Sequence, residues 1–335
     1  MIYKNLKFKK FYFVFYLFIL ISLLSLISIY SLAKGSVYIS IEEIWLAICR
    51  QGDEINQTII WDLRLPRLLA SLLVGSSLGM SGALLQGMLK NGLASPYLLG
   101  ISAGSGLVIV FFISFGLMQS FIPFAAWVGA VLTTLLVFVL SRDGNKIIVE
   151  RLVLGGVAIS SLFGAIQATL LLQVEDGRIQ AALNWLIGSL NARGWQDIKF
   201  AAFPILIALI IGLFLSRQLN LLSLGDELSV GLGNSLLRSR YLIGAVATLL
   251  TACAVSMAGL IGFIGLIVPH FSRLIIGSDF KYILPFSALM GAFTLSSADL
   301  ISRLGPVEIP VGIVTALIGA PVFMFILYKN KVLRK

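Results

Sequence analysis

YLIGAVATLLTACAVSMAGLIGFIGLIVPHFS, residues 241–272, is the stretch that decides the topology of this chain. Its 32 residues lie between Arg240 and Arg273 and contain no Lys, Arg, Asp or Glu. A helix rises about 1.5 Å per residue and a bilayer core is about 30 Å thick, so one membrane span needs about 20 residues. The stretch fits either one tilted span with an overhang or two tightly joined spans.

The composition places the whole chain in a membrane. Of 335 residues, 59% are hydrophobic and only 12% are charged, and the mean hydropathy is +1.00. A soluble domain could not cover so much apolar surface with so few charges, so we expect an all-α integral membrane protein. The net charge of +10 does not indicate nucleic-acid binding, because membrane proteins concentrate Lys and Arg in cytoplasmic segments.

The N-terminus imitates a secretory signal, since MIYKNLKFKK precedes 23 uncharged residues at 11–33. The apolar part of a signal peptide is only about 7–15 residues long, so this run predicts an uncleaved first span. The 51 uncharged residues between Lys90 and Arg142 predict two spans, joined by a turn at FGLMQSFIP, 115–123. Single spans are predicted for the remaining uncharged runs, which are 68–89, 152–174, 200–216, 282–298 and 309–328.

Charge at the two ends chooses between nine and ten spans. Four lysines precede the first span and four basic residues follow the last, so both termini should be cytoplasmic and the number of spans even. Residues 241–272 therefore predict two spans, which makes ten. In this topology 17 of the 25 Lys and Arg residues lie inside, whereas ten of the 15 acidic residues lie outside. Arg64, the last residue of an outer segment at 34–64, and Arg67, just after that segment, stand against this trend.

Motifs for catalysis or cofactor binding are absent from the sequence. There is no GxxxxGK[ST] phosphate loop, no HExxH and no cluster with metal-ligand spacing, and Ser-based hydrolysis lacks a suitable histidine base. The single histidine, His270, follows Pro269 at a span end and is expected to form a structural hydrogen bond. Cys49 and Cys253 fall outside and within the bilayer, so no disulfide is expected. We predict neither an enzyme nor a bound cofactor.

Two further classes of membrane protein remain as alternatives. An ion-coupled transporter should carry ionisable groups deep in its spans, but Asp299 and Arg303, four residues apart near an outer span end, read as an ordinary helical ion pair. A membrane enzyme or scaffold would lack cargo altogether.

The cytoplasmic loop 217–240 contains NLLSLGDELSVGLGNSLLRSR. It is either a solvated connector or a pair of short surface helices that a partner protein contacts.

Three long blocks resemble one family, the FecCD-type permeases, which import ferric siderophores, haem and cobalamin with a separate ATPase. The blocks are LRLPRLLASLLVGSSLGMSGALLQGMLKNGLASPYLLGISAGSG at 63–106, GFIGLIVPHFSRLIIGSDFKYILPFSALMGA at 262–292 and ADLISRLGPVEIPVGIVTALIGAPVFMFIL at 298–327. Their order and spacing are similar to the family's across nearly the whole chain after the first span. One departure is Asn91-Gly92-Leu93-Ala94, where the family usually has Asn-Pro-Leu-Ala, and a looser bend is expected there.

The resemblance implies a single permease domain over 1–335 with the family's inverted repeat, in which spans 2–5 resemble spans 7–10. It implies a multi-pass protein of the cell membrane that pairs with itself or a close homologue, with the translocation path along the subunit interface. Two copies of an ATPase would lie below this dimer. A periplasmic or surface-anchored binding protein would dock above it and deliver a metal-chelate cargo.

The resemblance also implies roles for particular residues. Arg64, Arg67 and Arg303 match outward-facing positions that bind carboxylates of the binding protein, a task suited to the planar guanidinium fork. Anchoring to lipid headgroups is the alternative for these arginines. The positions matching the ATPase-contacting loop are Gly225, Asp226, Glu227, Ser229 and Gly233. Those matching the translocation path and its helix hinges are Gln86, Asn91, Pro96, Gly100, Gly265, Pro269, His270 and Arg273.

The cargo is indicated by one segment only. LNWLIGSLNARGW, residues 183–195, resembles a segment of siderophore permeases and favours an iron(III)–siderophore complex. Haem and cobalamin permeases of the same family remain alternatives, with an ion-coupled secondary transporter behind them.

Overall fold

The computed structural model describes residues 2–35, 37–117, 121–144, 146–174 and 176–332. Over these ranges the chain is built almost entirely of helices. The α-helices are α1 (Ile2–Ala33), α2 (Ile41–Ile48), α3 (Glu54–Thr58), α4 (Leu65–Met88), α5 (Ile101–Ser114), α6 (Ile122–Ser141), α7 (Val149–Leu171), α8 (Asp176–Ile187), α9 (Trp195–Phe214), α10 (Ser216–Ser223), α11 (Asp226–Gly231), α12 (Leu236–Ala258), α13 (Ile264–Ile276), α14 (Phe280–Ser302) and α15 (Val311–Val332).

Two short helical turns and a two-stranded hairpin interrupt this series within the described ranges. A π-helical turn, Ile59–Arg64, leads directly into α4, and a 3-10 turn, Pro96–Leu99, precedes α5. Two-residue strands β1 (Arg142–Asp143) and β2 (Lys146–Ile147) pair antiparallel, with Arg142 opposite Ile147. The all-α prediction therefore holds apart from this small hairpin.

Ten apolar helices account for the predicted spans. Seven described helices are long and apolar enough to cross a membrane alone, and three shorter apolar helices, Ile101–Ser114, Ile264–Ile276 and Val311–Ile326, complete the set. The prediction of ten spans with both termini on the same side is confirmed. The middle of the predicted turn at 115–123, together with Arg334 and Lys335, lies outside the described residues.

The deciding stretch, 241–272, divides as predicted. Helix α12 ends at Ala258, and Gly259 follows with φ +73°, a left-handed conformation that glycine adopts without strain. Helix α13 begins five residues later, at Ile264. A side chain at Gly259 would also meet the carbonyl oxygen of Trp185, 2.3 Å from the Cβ position. The tight join between the two spans thus depends on glycine.

Helix α4 lies at the centre of the molecule and packs against α12, α13 and α14. Glycines allow the backbones to touch: a Cβ at Gly82 would lie only 1.9 Å from the carbonyl oxygen of Gly265 in α13. Close helix approach through small residues is the usual means of packing in a bilayer, where burial of apolar groups between helices gives little driving force. The two predicted functional faces lie at the two ends of this central helix.

The outer segment, 34–64, folds onto the start of α4. Ser40 caps α2 through a reciprocal pair of hydrogen bonds with Glu43. Buried side chains join this segment to α1 and α4, and they are Leu32, Ala33, Ile39, Ile44, Ala47, Ile60 and Leu68. The Trp195 indole donates a 2.8 Å hydrogen bond to the carbonyl of Trp61, which ties the segment to α9. Both cysteines are free; Cys49 is exposed and Cys253 is buried.

Candidate functional site: an outer arginine cluster and an inner loop

Arg64 ends the π-helical turn and points at the C-terminus of α1. Its guanidinium donates to the carbonyls of Leu32 at 2.5 Å and Ala33 at 3.0 Å, and to the carbonyl of Val37. A helix C-terminus leaves its last carbonyls unpaired and carries partial negative charge, so a buried arginine is well suited to it. Arg64 is only 7% exposed. It therefore joins the first span to the outer segment.

Arg67, one turn further along α4, connects two carboxylates. Its Nε and Nη2 atoms each lie 2.9 Å from Oδ1 of Asp299 in α14, and its Nη1 lies 2.6 Å from Oε1 of Glu308. The Asp299 side chain is 1% exposed, whereas that of Glu308 is 36% exposed. One partner is therefore fixed in the core and the other is accessible from outside.

Arg303 completes the cluster from the end of α14. Its Nη2 lies 3.1 Å from Oδ2 of Asp299, which confirms the predicted ion pair, and donates a 2.6 Å hydrogen bond to the Ser31 hydroxyl of α1. We call Arg64, Arg67 and Arg303 the outer arginine cluster. The sequence placed these three on the outer face, and they line a common cleft of about 680 Å³. Nothing in the sequence indicated that each of these arginines is largely buried and paired within the chain.

Asp299 and Glu308 belong to this site although neither was among the predicted site residues. Asp299 was recognised only as the partner of Arg303, four positions away. The contact with Arg67 spans 232 positions of sequence. Helical spacing reports only neighbours on the same helix, so no pattern in the sequence could have identified it.

The cytoplasmic loop 217–240, which we call the inner loop, contains the short helices α10 and α11 and lies at the cytoplasmic end of α4. Gly225 starts α11 with φ +108°, and Asp226 follows it. One carboxylate oxygen of Asp226 lies 2.7 Å from Nζ of Lys90, and the other lies 2.8 Å from Nη2 of Arg240. Burial alone would raise the pKa of Asp226, but the hydrogen bonds and charges of Lys90 and Arg240 outweigh it and lower that pKa.

The remaining loop residues divide into a buried and an exposed set. Ser229 is buried and accepts a 2.8 Å hydrogen bond from the Asn234 amide, and Gly233 adopts φ +81° at the turn beyond α11. Glu227 is exposed, as are the apolar side chains of Leu224, Leu228, Val230 and Leu232. A short helix thus presents one acidic group within an apolar surface at the cytoplasmic face.

Four of the predicted hinge residues, Gln86, Asn91, Pro96 and Gly265, come together where α4, the connection 89–100 and α13 meet. The Gln86 amide nitrogen donates to the carbonyls of Ala94 at 3.2 Å and Leu266 at 3.0 Å. Pro96 opens the 3-10 turn, and Gly100 closes it with φ +71°. A side chain at Gly265 would come within 2.9 Å of the Pro96 ring. These close approaches indicate that α4, the connection 89–100 and α13 are tightly packed at this joint, with few polar contacts between their side chains.

Asn91 forms a turn at the position where the family usually has proline next. Its side-chain oxygen accepts a 2.9 Å hydrogen bond from the backbone N–H of Leu93, and its carbonyl accepts from Ala94. An Asx turn of this kind closes the bend, and the effect of Gly92 on its stiffness stays a prediction. Pro269, His270 and Arg273 lie in α13. His270 makes no hydrogen bond to the described residues, contrary to the prediction, and instead its ring packs edge-to-face against Phe271.

Among the described residues, no group of three or more His, Cys, Asp or Glu side chains is placed to hold a metal ion. The arrangement instead combines an outer charged cleft, a glycine-packed core and an inner helix with an exposed apolar surface. The sequence matches the FecCD transport family over residues 23–329.

The chain belongs to the FecCD transport family.

Relatives and structures agree with this assignment. The FecCD permease is 40% identical to the Fe(3+)-citrate import system permease protein YfmE of Bacillus subtilis over 303 residues, covering 89% of this chain and 90% of that protein. It is 39% identical to the cobalamin import system permease protein BtuC of Halobacterium salinarum over 281 residues, covering 83% and 76% respectively. A solved metal-chelate type ABC transporter in an inward-facing conformation superposes with a TM-score of 0.86 and 34% identity, covering 93% of this chain and 98% of that one.

The permease is therefore the membrane subunit of an ABC importer of the metal-chelate type. It is a multi-pass protein of the plasma membrane, and ATP hydrolysis is carried out by a separate ATPase subunit.

Proposed function

We propose that this FecCD permease imports an iron(III)–siderophore complex. The observation that carries this proposal is the position of residues 183–195, the segment that resembles siderophore permeases. The end of α8 and the loop after it line clefts on the outer face, where cargo would enter. Overall identity does not decide the cargo, since the iron-citrate and cobalamin relatives match at 40% and 39%. Haem or cobalamin is the second candidate.

ATP rather than an ion gradient would drive this transport. A secondary transporter needs an ionisable group in its spans that can exchange an ion during the cycle. Asp299, the buried carboxylate of α14, is held by Arg67 and Arg303 at 2.9 and 3.1 Å. Both of its carboxylate oxygens are therefore engaged by arginines, Oδ1 by Arg67 and Oδ2 by Arg303, which leaves neither free to hold a coupling ion. This pairing supports a transporter that is driven by ATP hydrolysis in a partner ATPase.

The binding protein would dock on the outer arginine cluster. Because all three arginines already have partners, docking needs an exchange of partners rather than a free guanidinium. Arg67 is best placed for it, since Glu308 occupies its Nη1 atom at the accessible edge of the cleft. A carboxylate of the binding protein could replace Glu308 while Asp299 keeps the arginine in position. Arg64 and Arg303 would supply positive charge next to this contact.

The ATPase would bind the inner loop. Exposed Leu228 and Leu232 offer apolar area to a groove on a partner, and Glu227 offers a charge that fixes orientation. Asp226 holds α11 against Lys90 and Arg240, so a push on this helix would reach α4 and α12 as a rigid-body movement. Movement at the packed joint around Gln86 and Gly265 would then open or close the path.

A second permease subunit would complete the path. Helix α7 carries exposed Leu154, Val157 and Leu162, and a Cβ at Gly155 or Gly164 would meet no atom within 4 Å. Such a surface of apolar and small residues suits packing against another helix in a bilayer. A second copy of this chain is the simplest partner, and a close homologue is the alternative.

A cargo panel tests the proposal. The permease, its ATPase and its binding protein would be reconstituted in vesicles and supplied with ferric siderophores, haem and cobalamin in turn. We expect ATP-dependent uptake of a ferric siderophore. Uptake confined to haem or cobalamin would overturn the siderophore assignment and leave the importer intact.

A further inference from the structure

Arg193 lies in the loop between α8 and α9, at a point where three outer clefts meet. The clefts have volumes of about 670, 640 and 680 Å³, and Arg193 lines all three. Volumes of this size are typical of sites for small-molecule ligands. The side chain is 16% exposed, so it is mostly shielded from water but still reachable from the clefts.

The contacts of Arg193 leave its donors unused. Its guanidinium carbon lies 4.4 Å from the centre of the Trp185 ring, a cation–π contact. Its nearest carboxylate oxygen is Oδ1 of Asp197, at 3.9 Å, which is too far for a hydrogen bond. The other oxygen of Asp197 accepts a 3.0 Å hydrogen bond from the backbone N–H of Gly194. Within the described chain no acceptor bonds to Arg193, and its Nε is buried without a partner.

This state is unusual for a mostly buried arginine. A guanidinium has five N–H donors, and burying a charged group without hydrogen bonds is costly. The outer arginine cluster shows the ordinary solution, because Arg64, Arg67 and Arg303 all donate to carbonyls, hydroxyls or carboxylates of the chain. Arg193 is preoriented by its stacking on Trp185 and has donors available for an external acceptor.

The surroundings define the acceptor. The 680 Å³ cleft is lined by four arginines, Arg64, Arg67, Arg193 and Arg303, and by two acidic residues, Asp62 and Glu308. Of these four arginines, only Arg193 has no hydrogen-bonded acceptor in the described chain. The cleft of about 670 Å³ lies on the other side of Arg193 and adds an aromatic wall formed by Phe121, Phe124, Trp185 and Phe200. An anion with an apolar body would satisfy both sides. A carboxylate matches the planar guanidinium fork in geometry and charge.

We propose that Arg193 and Trp185 form a cargo-binding site on the outer face, which takes a carboxylate of an anionic metal chelate as it leaves the binding protein. This inference rests on the proposed chelate import and names the chemical class of the cargo. Arg193 is the binding residue, and Trp185 is the positioning residue that keeps the guanidinium directed into the clefts.

The test is direct binding of gallium(III) citrate, a carboxylate chelate, to the permease–ATPase complex in phosphatidylcholine nanodiscs without ATP. Binding is read from tryptophan fluorescence, with Trp185→Phe identifying the reporting residue. We expect a saturable change that Arg193→Gln weakens at least about tenfold, as loss of a charge-assisted hydrogen bond predicts. Arg193→Lys should restore only part of the affinity, because an ammonium lacks the planar fork.

Arg50→Gln is the matched control. Arg50 also lies in an outer segment and stacks on a tryptophan, Trp61, at 5.2 Å, but it lines none of the three clefts. Its substitution should leave citrate binding unchanged. Equal binding by wild type and Arg193→Gln would overturn the proposal, as would absence of any response to the chelate.

Two further comparisons in the same experiment distinguish the chelate from other sources of a carboxylate or oxyanion, namely a lipid headgroup and the binding protein. A Trp185 response that requires phosphatidylglycerol and not citrate would assign Arg193 to a lipid headgroup. Weaker docking of cargo-free binding protein by Arg193→Gln, without an effect on citrate, would assign it to the docking surface. Either result overturns the cargo site. Because none of these arms involves transport, import itself is judged separately by vesicle uptake.

Discussion

Nη1 of Arg67 lies 2.6 Å from Oε1 of Glu308 at the outer face of the permease, while Nε and Nη2 of the same arginine hold the buried carboxylate of Asp299. Arg67 is therefore anchored on one side and engaged on the other by a carboxylate that solvent reaches. Such a pairing keeps the guanidinium in place and lets an external carboxylate compete for one edge of it.

Glu308→Gln should tighten docking of the binding protein several-fold, because the amide competes less well for Arg67 than the carboxylate does. The measurement is the dissociation constant for the binding protein on permease–ATPase nanodiscs. Glu54→Gln, an exposed substitution in the outer segment, is the control and should change nothing. Unchanged or weaker docking by Glu308→Gln would count against partner exchange at Arg67.

Asp299→Ala should destabilise the permease strongly, by about 3–5 kcal/mol, because it leaves two largely buried arginines without their shared carboxylate. The measurement is the thermal unfolding midpoint of the permease in nanodiscs. Glu308→Gln provides the comparison, since that carboxylate is 36% exposed and its loss should cost far less. Equal midpoints for wild type and Asp299→Ala would show that the ion pairs add nothing to stability.

Glu227→Arg should uncouple ATP hydrolysis from transport without lowering the thermal midpoint, because the Glu227 side chain is exposed and forms no hydrogen bond or ion pair within the described chain. Uptake and phosphate release are measured in the same vesicles. Asp226→Asn should behave differently and lower the midpoint, since it removes the ion pairs to Lys90 and Arg240. Normal coupling by Glu227→Arg would argue against its role at the ATPase contact.

The stabilisation from Asp226 should depend on pH in a defined direction. Its pKa is lowered in the folded protein, so its contribution is present above the unfolded-state pKa of about 3.9 and is lost as the pH falls through the folded value. The midpoint difference between wild type and Asp226→Asn should therefore be full at neutral pH and shrink below about pH 4. A difference that grows on acidification would contradict this assignment.

Gly82→Ala should disrupt packing of the permease, since the added methyl would lie 1.9 Å from the carbonyl oxygen of Gly265. We expect a lower yield of folded protein and a lower thermal midpoint. Gly177→Ala in α8 is the control, because a Cβ there meets no atom within 4 Å. Similar behaviour of the two variants would mean that α4 and α13 separate easily.

The spans could be predicted because each depends on a local property, the length of an uncharged run. The even parity followed from charges at the two ends, and it forced the division of residues 241–272 that Gly259 makes possible. The pair Asp299–Arg303 was also predictable, because residues four apart share a helix face.

The partners of the outer arginines could not be predicted in the same way. Arg64 finds the carbonyls of Leu32 and Ala33 only because the outer segment folds back onto α1. Arg193 belongs to the segment 183–195 that indicates the cargo, but the sequence did not single it out as a site residue. Its lack of hydrogen bonds depends on the positions of Trp185 and Asp197 in space, which sequence spacing does not report.

Uptake by reconstituted vesicles tests the central claim most directly. The permease would be combined with its binding protein and with either the intact ATPase or one whose catalytic site is inactivated, and accumulation of an iron-loaded siderophore would be followed with and without proton and sodium gradients. Accumulation that requires the intact ATPase and ignores the gradients is the predicted result. Accumulation that persists with the inactive ATPase and collapses with a gradient would contradict an ATP-driven importer.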